Sequence, residues 1–382
     1  MRKQFIRRGA AALIAGTLSA GALAEGLPKT FAWTAYGTTS AGYAASVAVG
    51  NALADEGYKL RVLPAKNDIS RMTPLKNKKV QFSAMGVGSF QAQEGALDFG
   101  KGKWGPQSIR LVLMGWGDSN TALPATAKDA NIKSAADLRG KRIAWIVGGP
   151  ALNHNMAGWL AYGGMSWDDV IKVEVPGWKQ SIQGIIDGNI DAAIASTNSS
   201  MLFQLDSSPR GLAFFPAPAS EKENWERMLK VTPWFVPHTA TAGVGLSKEN
   251  PHVGATFGYP ILITYDWMSD DAVYELVKMM HTKYDAYKDG HSAAAGFAMD
   301  RQVFKWLMPF HPGAIKYFKE IGMWTDEYQA HTDMQLKRQM VLQDTWKKVQ
   351  GAKSDADEQY AHWMSERASA LKAAGFAPVW DN

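Results

Sequence analysis

From Lys29 onward, short apolar runs alternate with stretches whose apolar residues recur at helical spacing. Residues 30–36 read as a first strand. After the turn Gly37-Thr38-Thr39-Ser40, the residues Ala45, Val49, Ala52 and Leu53 fall at i, i+4, i+7 and i+8, the stripe of a helix buried on one side. Strands are expected at 58–63, 80–85 and 109–114. A second unit begins near Thr121 with a helical turn at 134–141 closed by Gly140, then strands at 142–147, 170–175 and 190–195. Pro150 opens a helix at its first position, and Trp178, Ile182, Ile185 and Ile186 share one face of the next. This β/α alternation predicts parallel βαβ units whose strand ends open on a common edge.

The chain is then expected to return through 229–241 and 260–265 to the first unit, giving two crossings between lobes. Beyond Trp324 glycine becomes scarce. Two helical patterns follow, one through Leu342, Trp346 and Val349, the other through Tyr360, Trp363, Met364 and Leu371. The division expected is therefore an export segment at 1–24, a first lobe at 25–118 and 237–324, a second lobe at 119–236, and a C-terminal helical extension at 325–382.

The export segment rests on Arg2, Lys3, Arg7 and Arg8 ahead of an uncharged stretch that ends in Ala22-Leu23-Ala24. The order Arg2-Lys3-Gln4-Phe5-Ile6-Arg7 leaves both the general and the twin-arginine export routes open. Removing 1–24 takes four positive and no negative charges, so the net charge of +5 becomes +1. The basic balance thus belongs to the leader and gives no reason to expect a nucleic-acid partner. No other window reaches the roughly 18 apolar residues of a membrane span. With no cysteine, disulfides and thiolate chemistry are excluded.

No HExxH, GxSxG, P-loop or dinucleotide fingerprint occurs, which argues against an enzyme and against a bound cofactor. His154, His238, His281, His311 and His331 lack the spacing that puts two metal ligands on one helix face, and read as hydrogen-bonded structural residues. The acidic pairs Asp168-Asp169 and Asp270-Asp271 read as helix starts.

What recurs is a small polar or glycine turn between a strand and a helix, four times over two lobes. These are Tyr36-Gly37-Thr38-Thr39-Ser40, Gly86-Val87-Gly88-Ser89, Gly148-Gly149-Pro150-Ala151-Leu152-Asn153 and Thr197-Asn198-Ser199. In a doubly wound sheet such turns line the carboxyl edge, where ligands bind. None carries Lys or Arg, so an anion there would be held by backbone N–H groups, helix dipoles and hydroxyl or amide side chains. Trp178 and Lys179 directly follow a strand, and Lys179 is the candidate for one full positive charge near the cleft. Among 15 tryptophans, Trp116, Trp178 and Trp234 sit beside strand ends, where they either wall a ligand or pack the core.

Three stretches resemble the TAXI-type solute receptors of tripartite ATP-independent periplasmic (TRAP) transporters. They are the opening turn through Tyr43, the central Asp137-Leu138-Arg139-Gly140-Lys141-Arg142-Ile143-Ala144, and His311-Pro312-Gly313-Ala314-Ile315-Lys316-Tyr317-Phe318-Lys319-Glu320-Ile321-Gly322. The central motif is common among periplasmic binding proteins, and the third is far more specific. The resemblance implies a type II periplasmic-binding-protein fold: two α/β lobes and a hinge that close on one small organic anion for delivery to membrane subunits. It also implies ligand contacts from the first-strand, third-strand and second-lobe turns. Thr38-Thr39-Ser40-Ala41 and Pro150-Ala151-Leu152 stand where such receptors are richer in glycine, which points to an anion bulkier or more apolar than glutamate. The readings set against this one are a sulfonate- or nitrogenous-compound-binding protein of an ATP-dependent transporter, and a periplasmic enzyme built around His154.

Overall fold

The structure, a computed structural model, describes residues 26–380. The export segment read at 1–24 lies outside them. Twelve strands are described: β1 Thr30–Ala35, β2 Lys59–Pro64, β3 Phe82–Met85, β4 Ile109–Met114, β5 Leu123–Ala127, β6 Arg142–Ile146, β7 Ile171–Val175, β8 Ala192–Ala195, β9 Leu212–Ala213, β10 Val236–Ala240, β11 His252–Thr256 and β12 Ile261–Tyr265.

They form two five-stranded sheets of the same design, ordered β2-β1-β3-β12-β4 and β7-β6-β8-β5-β9. In each, the first three strands are parallel, and the fourth runs antiparallel between its neighbours. That fourth strand is the latest in sequence in the first sheet and the earliest in the second. The chain therefore crosses between lobes twice, and the architecture is the type II periplasmic-binding-protein fold.

The inner parallel strands of the first sheet form where the sequence pattern places them: Phe31 and Trp33 of β1 and all four residues of β3 are buried. The helix Ala41–Ala54 buries Ala45, Val49, Ala52 and Leu53 as the spacing predicts. Central β5 carries no such signal. Leu-Pro-Ala-Thr-Ala is a poor strand sequence, yet all five residues are buried because β8 and β9 hold it from both sides.

The return through 229–241 differs from expectation. Its first part ends the helix Lys222–Val231, and β10 pairs only with β11, as a two-stranded ribbon outside both large sheets. Only β12 rejoins the first sheet. The connecting segments run side by side. Thr241 N donates to Asp118 O at 2.9 Å, and Gly115 and Tyr259–Pro260 exchange bonds of 2.6 and 2.8 Å, so the hinge is a hydrogen-bonded ladder.

The acidic pairs start helical turns as read. Ser166 Oγ accepts from Asp168 N at 3.2 Å, and Ser269 Oγ accepts from Ala272 N at 3.2 Å. The 311–322 stretch is also a helix joint. His311 caps Pro312–Glu320 by accepting from Gly313 N at 3.1 Å. Burial pushes its imidazole down to about 4, so it stays neutral and keeps the lone pair the cap needs. A Cβ on Gly313 would lie 2.1 Å from Asp270 O, so only glycine lets this helix approach Asp270–Thr282.

The two C-terminal helices, Asp326–Val349 and Ala356–Ala373, bury Leu342, Val349, Trp363, Met364 and Leu371. They dock on the first lobe through Glu94, a buried carboxylate that accepts from Arg338 Nε and Nη2, each at 2.7 Å, and from Arg367 Nη2.

Candidate ligand cleft

The carboxyl ends of the two sheets face each other across a narrow cavity of about 40 Å³. From the first lobe come Tyr36 and Ser40 after β1, and Gly86 and Val87 after β3. Ala151, Leu152 and Asn155 come from the start of the helix Pro150–Tyr162, with Trp178, Ile194, Ala195, Ser196 and Ser199 around it. Thr121, Ala122, Phe257 and Tyr259 come from the hinge. The lining holds hydroxyls, one amide and apolar side chains, and no ionisable acid or base other than the two tyrosines. The apolar part of the lining comes from Val87, Ala122, Ala151, Leu152, Trp178, Ile194, Ala195 and Phe257.

Burial pushes the Tyr36 hydroxyl well above its ordinary range, against the opposing pull of the Arg71 charge. It pushes Tyr259 up to about 12. Both remain protonated donors at neutral pH. A Cβ on Gly42 would lie 2.6 Å from the Tyr259 hydroxyl, so the first turn of the helix Ala41–Ala54 holds the residue that admits this ring.

Directly behind Tyr36 lies a charged pair from the short helix Asp68–Lys76, which the hydrophobic pattern does not reveal. Asp68 and Arg71 are fully buried. Arg71 Nη2 bonds Asp68 Oδ1, Nε lies 3.0 Å from Met85 Sδ, and the guanidinium carbon sits 3.1 Å from the centre of the Tyr36 ring. Arg71 Nη1 has no protein partner. The Tyr36 hydroxyl donates to Asp68 Oδ1 at 3.3 Å, and Asp68 Oδ2 accepts from Ala151 N of the opposite lobe at 3.0 Å. The helix N-terminus at Ala151, which the sequence offers to a ligand anion, is thus capped by a carboxylate from across the cleft. Asn67 Nδ2 donates to Val147 O at 3.2 Å and Ser200 Oγ to Thr39 O at 2.7 Å, so the lobes meet on both flanks.

Of the residues singled out in sequence, Tyr36, Ser40, Gly86, Val87, Ala151, Leu152, Trp178 and Ser199 line the cavity. Thr38 is exposed, Thr39 spends its carbonyl on Ser200, and Tyr43 faces an outer groove. Gly88 and Ser89 are buried in the next helix, where Ser89 Oγ donates to Gly86 O at 2.7 Å. Gly149 is buried beneath Pro150. Gly148, Pro150 and Asn153 border a separate groove beside Tyr360, and the Asn153 amide is spent on both backbone groups of Ile146. Thr197 ties the hinge by donating to Ala242 O at 2.8 Å, and Asn198 Nδ2 donates to Ser292 Oγ at 2.9 Å.

Lys179 is exposed and outside the lining; the full charges that touch lining residues include Asp68, bonded to Tyr36 and Ala151, and Arg71, stacked on the Tyr36 ring. Trp234 is buried with its indole N–H on Asn155 Oδ1 at 2.9 Å, and Trp116 is outside the lining. His154 is also outside the lining, its Nε2 2.9 Å from Val231 O. Among the described residues no His, Asp and Glu group is placed to hold a metal.

The family model described as the NMT1-like family matches residues 34–322. The chain belongs to the NMT1-like family. The match takes in every cavity-lining residue and ends where the C-terminal helical pair begins. Solved structures similar to this NMT1-like chain include the alkanesulfonate-binding protein SsuA from Xanthomonas axonopodis pv. citri bound to MOPS. It is 13% identical with a TM-score of 0.45, over 85% of this chain and 94% of that one. The periplasmic aliphatic sulphonate binding protein SsuA from Escherichia coli is 12% identical with a TM-score of 0.45, over 93% and 90%. PhnD1 from Prochlorococcus marinus, in complex with methylphosphonate, is 11% identical with a TM-score of 0.45, over 78% and 100%. Among the described residues no helix is long and apolar enough to cross a membrane.

Proposed function

We propose that this NMT1-like protein is an exported solute receptor that captures a small organic anion between its lobes, without chemistry, and delivers it to a TRAP-type transporter. The observation that carries the anion is the buried Arg71. Two of its nitrogens are engaged by Asp68 and Met85, and its Nη1 is unpaired one ring behind a hydroxyl-lined cavity. A buried donor without a partner is costly, and an acidic ligand group is the kind of partner that would relieve it. The apolar share of the lining supports a carboxylate with a hydrocarbon body rather than a fully polar one such as glutamate.

Ligand shifts the open–closed population by the contacts that only the closed form makes. Asp68 with Ala151, and Ser200 with Thr39, are of that kind. Delivery to a TRAP-type transporter is supported by the 311–322 resemblance. That stretch builds a helix joint away from the cavity, so it speaks to kinship and not to the ligand.

The first test is a melting screen of the purified chain with carboxylates, sulfonates and their neutral amides. Ligand at 100 times its Kd adds about 2.7 kcal/mol, enough to read as a shift of several degrees. The anions should raise the melting temperature and the amides should not. A shift produced only by sugars or metal ions would overturn the ligand class. Uptake of a confirmed ligand should stop when the ion gradient is collapsed and survive ATP depletion. The reverse result would assign the chain to an ATP-dependent transporter.

A further inference from the structure

The C-terminal pair is anchored on one lobe, and the chain beyond it reaches the other. Arg338 and Arg367 each bond Glu94 of the first lobe and also hold the final segment: Arg338 Nη1 donates to Ala377 O at 3.0 Å, and Arg367 Nη1 donates to Trp380 O at 2.7 Å. Trp380, which is 9% exposed, sits between lobes. Its ring centre is 5.5 Å from that of Phe90 in the first lobe and 5.4 Å from His154 in the second. Its indole N–H donates to His154 Nε2 at 2.9 Å.

The contact on His154 is exchangeable. The same Nε2 lies 2.9 Å from Val231 O, and one ring nitrogen serves one of these partners at a time. With a lone pair it accepts from the indole. With a proton it donates to the carbonyl. Trp380 can therefore leave without stranding a polar atom of the second lobe. His154 and the cavity-lining Asn155 lie on the same helix, whose Ala151 N bonds Asp68, so lobe opening moves His154 relative to the anchored tail.

We propose that residues 376–380 form a strap that is fixed to the first lobe and engages the second through Trp380 only when the lobes are closed, so that it sets the open–closed population. The strap lies wholly outside the stretch matched by the family model, residues 34–322.

Because the chain has no cysteine, one exposed site per lobe can be labelled uniquely, as Lys79→Cys with Asp187→Cys. The distance distribution between spin labels is then measured without ligand, for the otherwise unaltered chain, for Trp380→Phe and for Trp380→Ala. The hydrogen bond to His154 and the ring contacts with His154 and Trp234 of the second lobe are each worth a few-fold. Trp380→Ala should therefore lower the closed-to-open ratio roughly tenfold, with Trp380→Phe between. Melting of each variant, read beside the distances, separates a shifted population from a damaged fold, since both variants keep the backbone carbonyl of residue 380 on which Arg367 Nη1 is held. An unaltered chain that is wholly open, or a distribution that Trp380→Ala leaves unchanged in a folded protein, overturns the strap. No ligand is added, so that outcome leaves the anion reading standing.

Discussion

Two buried acid–base clusters use the same chemistry to opposite ends. At the extension joint, both oxygens of Glu94 are filled by Arg338 and Arg367, and the remaining arginine nitrogens are spent on backbone carbonyls. At the cleft wall, Asp68 divides its oxygens between its own lobe and the opposite one, while Arg71 keeps a nitrogen free of protein partners. A saturated cluster fixes two parts together. One with a contact across a hinge and an unfilled donor can respond to closure and to a ligand.

The largest expected effect tests the fixed cluster. Glu94→Gln leaves two buried arginines without their carboxylate and should cost about 3–5 kcal/mol in urea unfolding, the scale for breaking a buried pair. A loss below ~1 kcal/mol would mean the joint is no more than a surface contact. Acid gives the same comparison without mutation. Burial pushes the Glu94 carboxyl up, but the hydrogen bonds and charges of Arg338 and Arg367 outweigh it and hold the carboxyl below the usual range. The stability this contributes is present above the unfolded glutamate value of about 4.3 and is lost as the pH falls through the lower folded value. Wild type should therefore lose stability on acidification in that window, and Glu94→Gln should lose less.

A smaller effect tests the responsive cluster. Arg71→Gln should weaken the anion that gives the largest melting shift by about 10- to 100-fold, the value of one hydrogen bond to a charged group, in calorimetric titration. Its neutral amide should be affected little. Equal losses for both would make Arg71 a prop for Tyr36 and end the contrast between the clusters. The smallest effect is expected at Lys179. Lys179→Ala should leave affinity within about twofold, because an exposed, solvated charge outside the lining contributes little. A tenfold loss would move the binding charge from Arg71 to the second lobe.

The resemblance motifs and the cleft were legible to different degrees. The 311–322 and 134–141 stretches are visible because caps, glycine turns and helix starts are local: Ser134, His311 and Gly313 act on residues within a few positions or one packed helix away. The strand-end turns pointed to the cavity edge, and seven of their residues line it. Asp68 and Arg71 were hidden because their helix is nine residues long, carries Pro74 inside, and shows only the Asn67 and Ser70 capping pair. Nothing in that stretch says which face of it will be buried.

The sequence by itself determined the β/α alternation, several helix starts and the existence of the C-terminal pair, since each depends on periodicity and on side chains that satisfy nearby backbone groups. The tertiary structure decided what those elements do. Asp68 meets Ala151 across 83 positions, Glu94 meets Arg367 across 273, and β5 is a strand only because β8 and β9 flank it. Charge burial, cleft closure and the reach of Trp380 depend on which distant surfaces are brought together, and hydrophobic patterning fixes the face of an element without naming its partner.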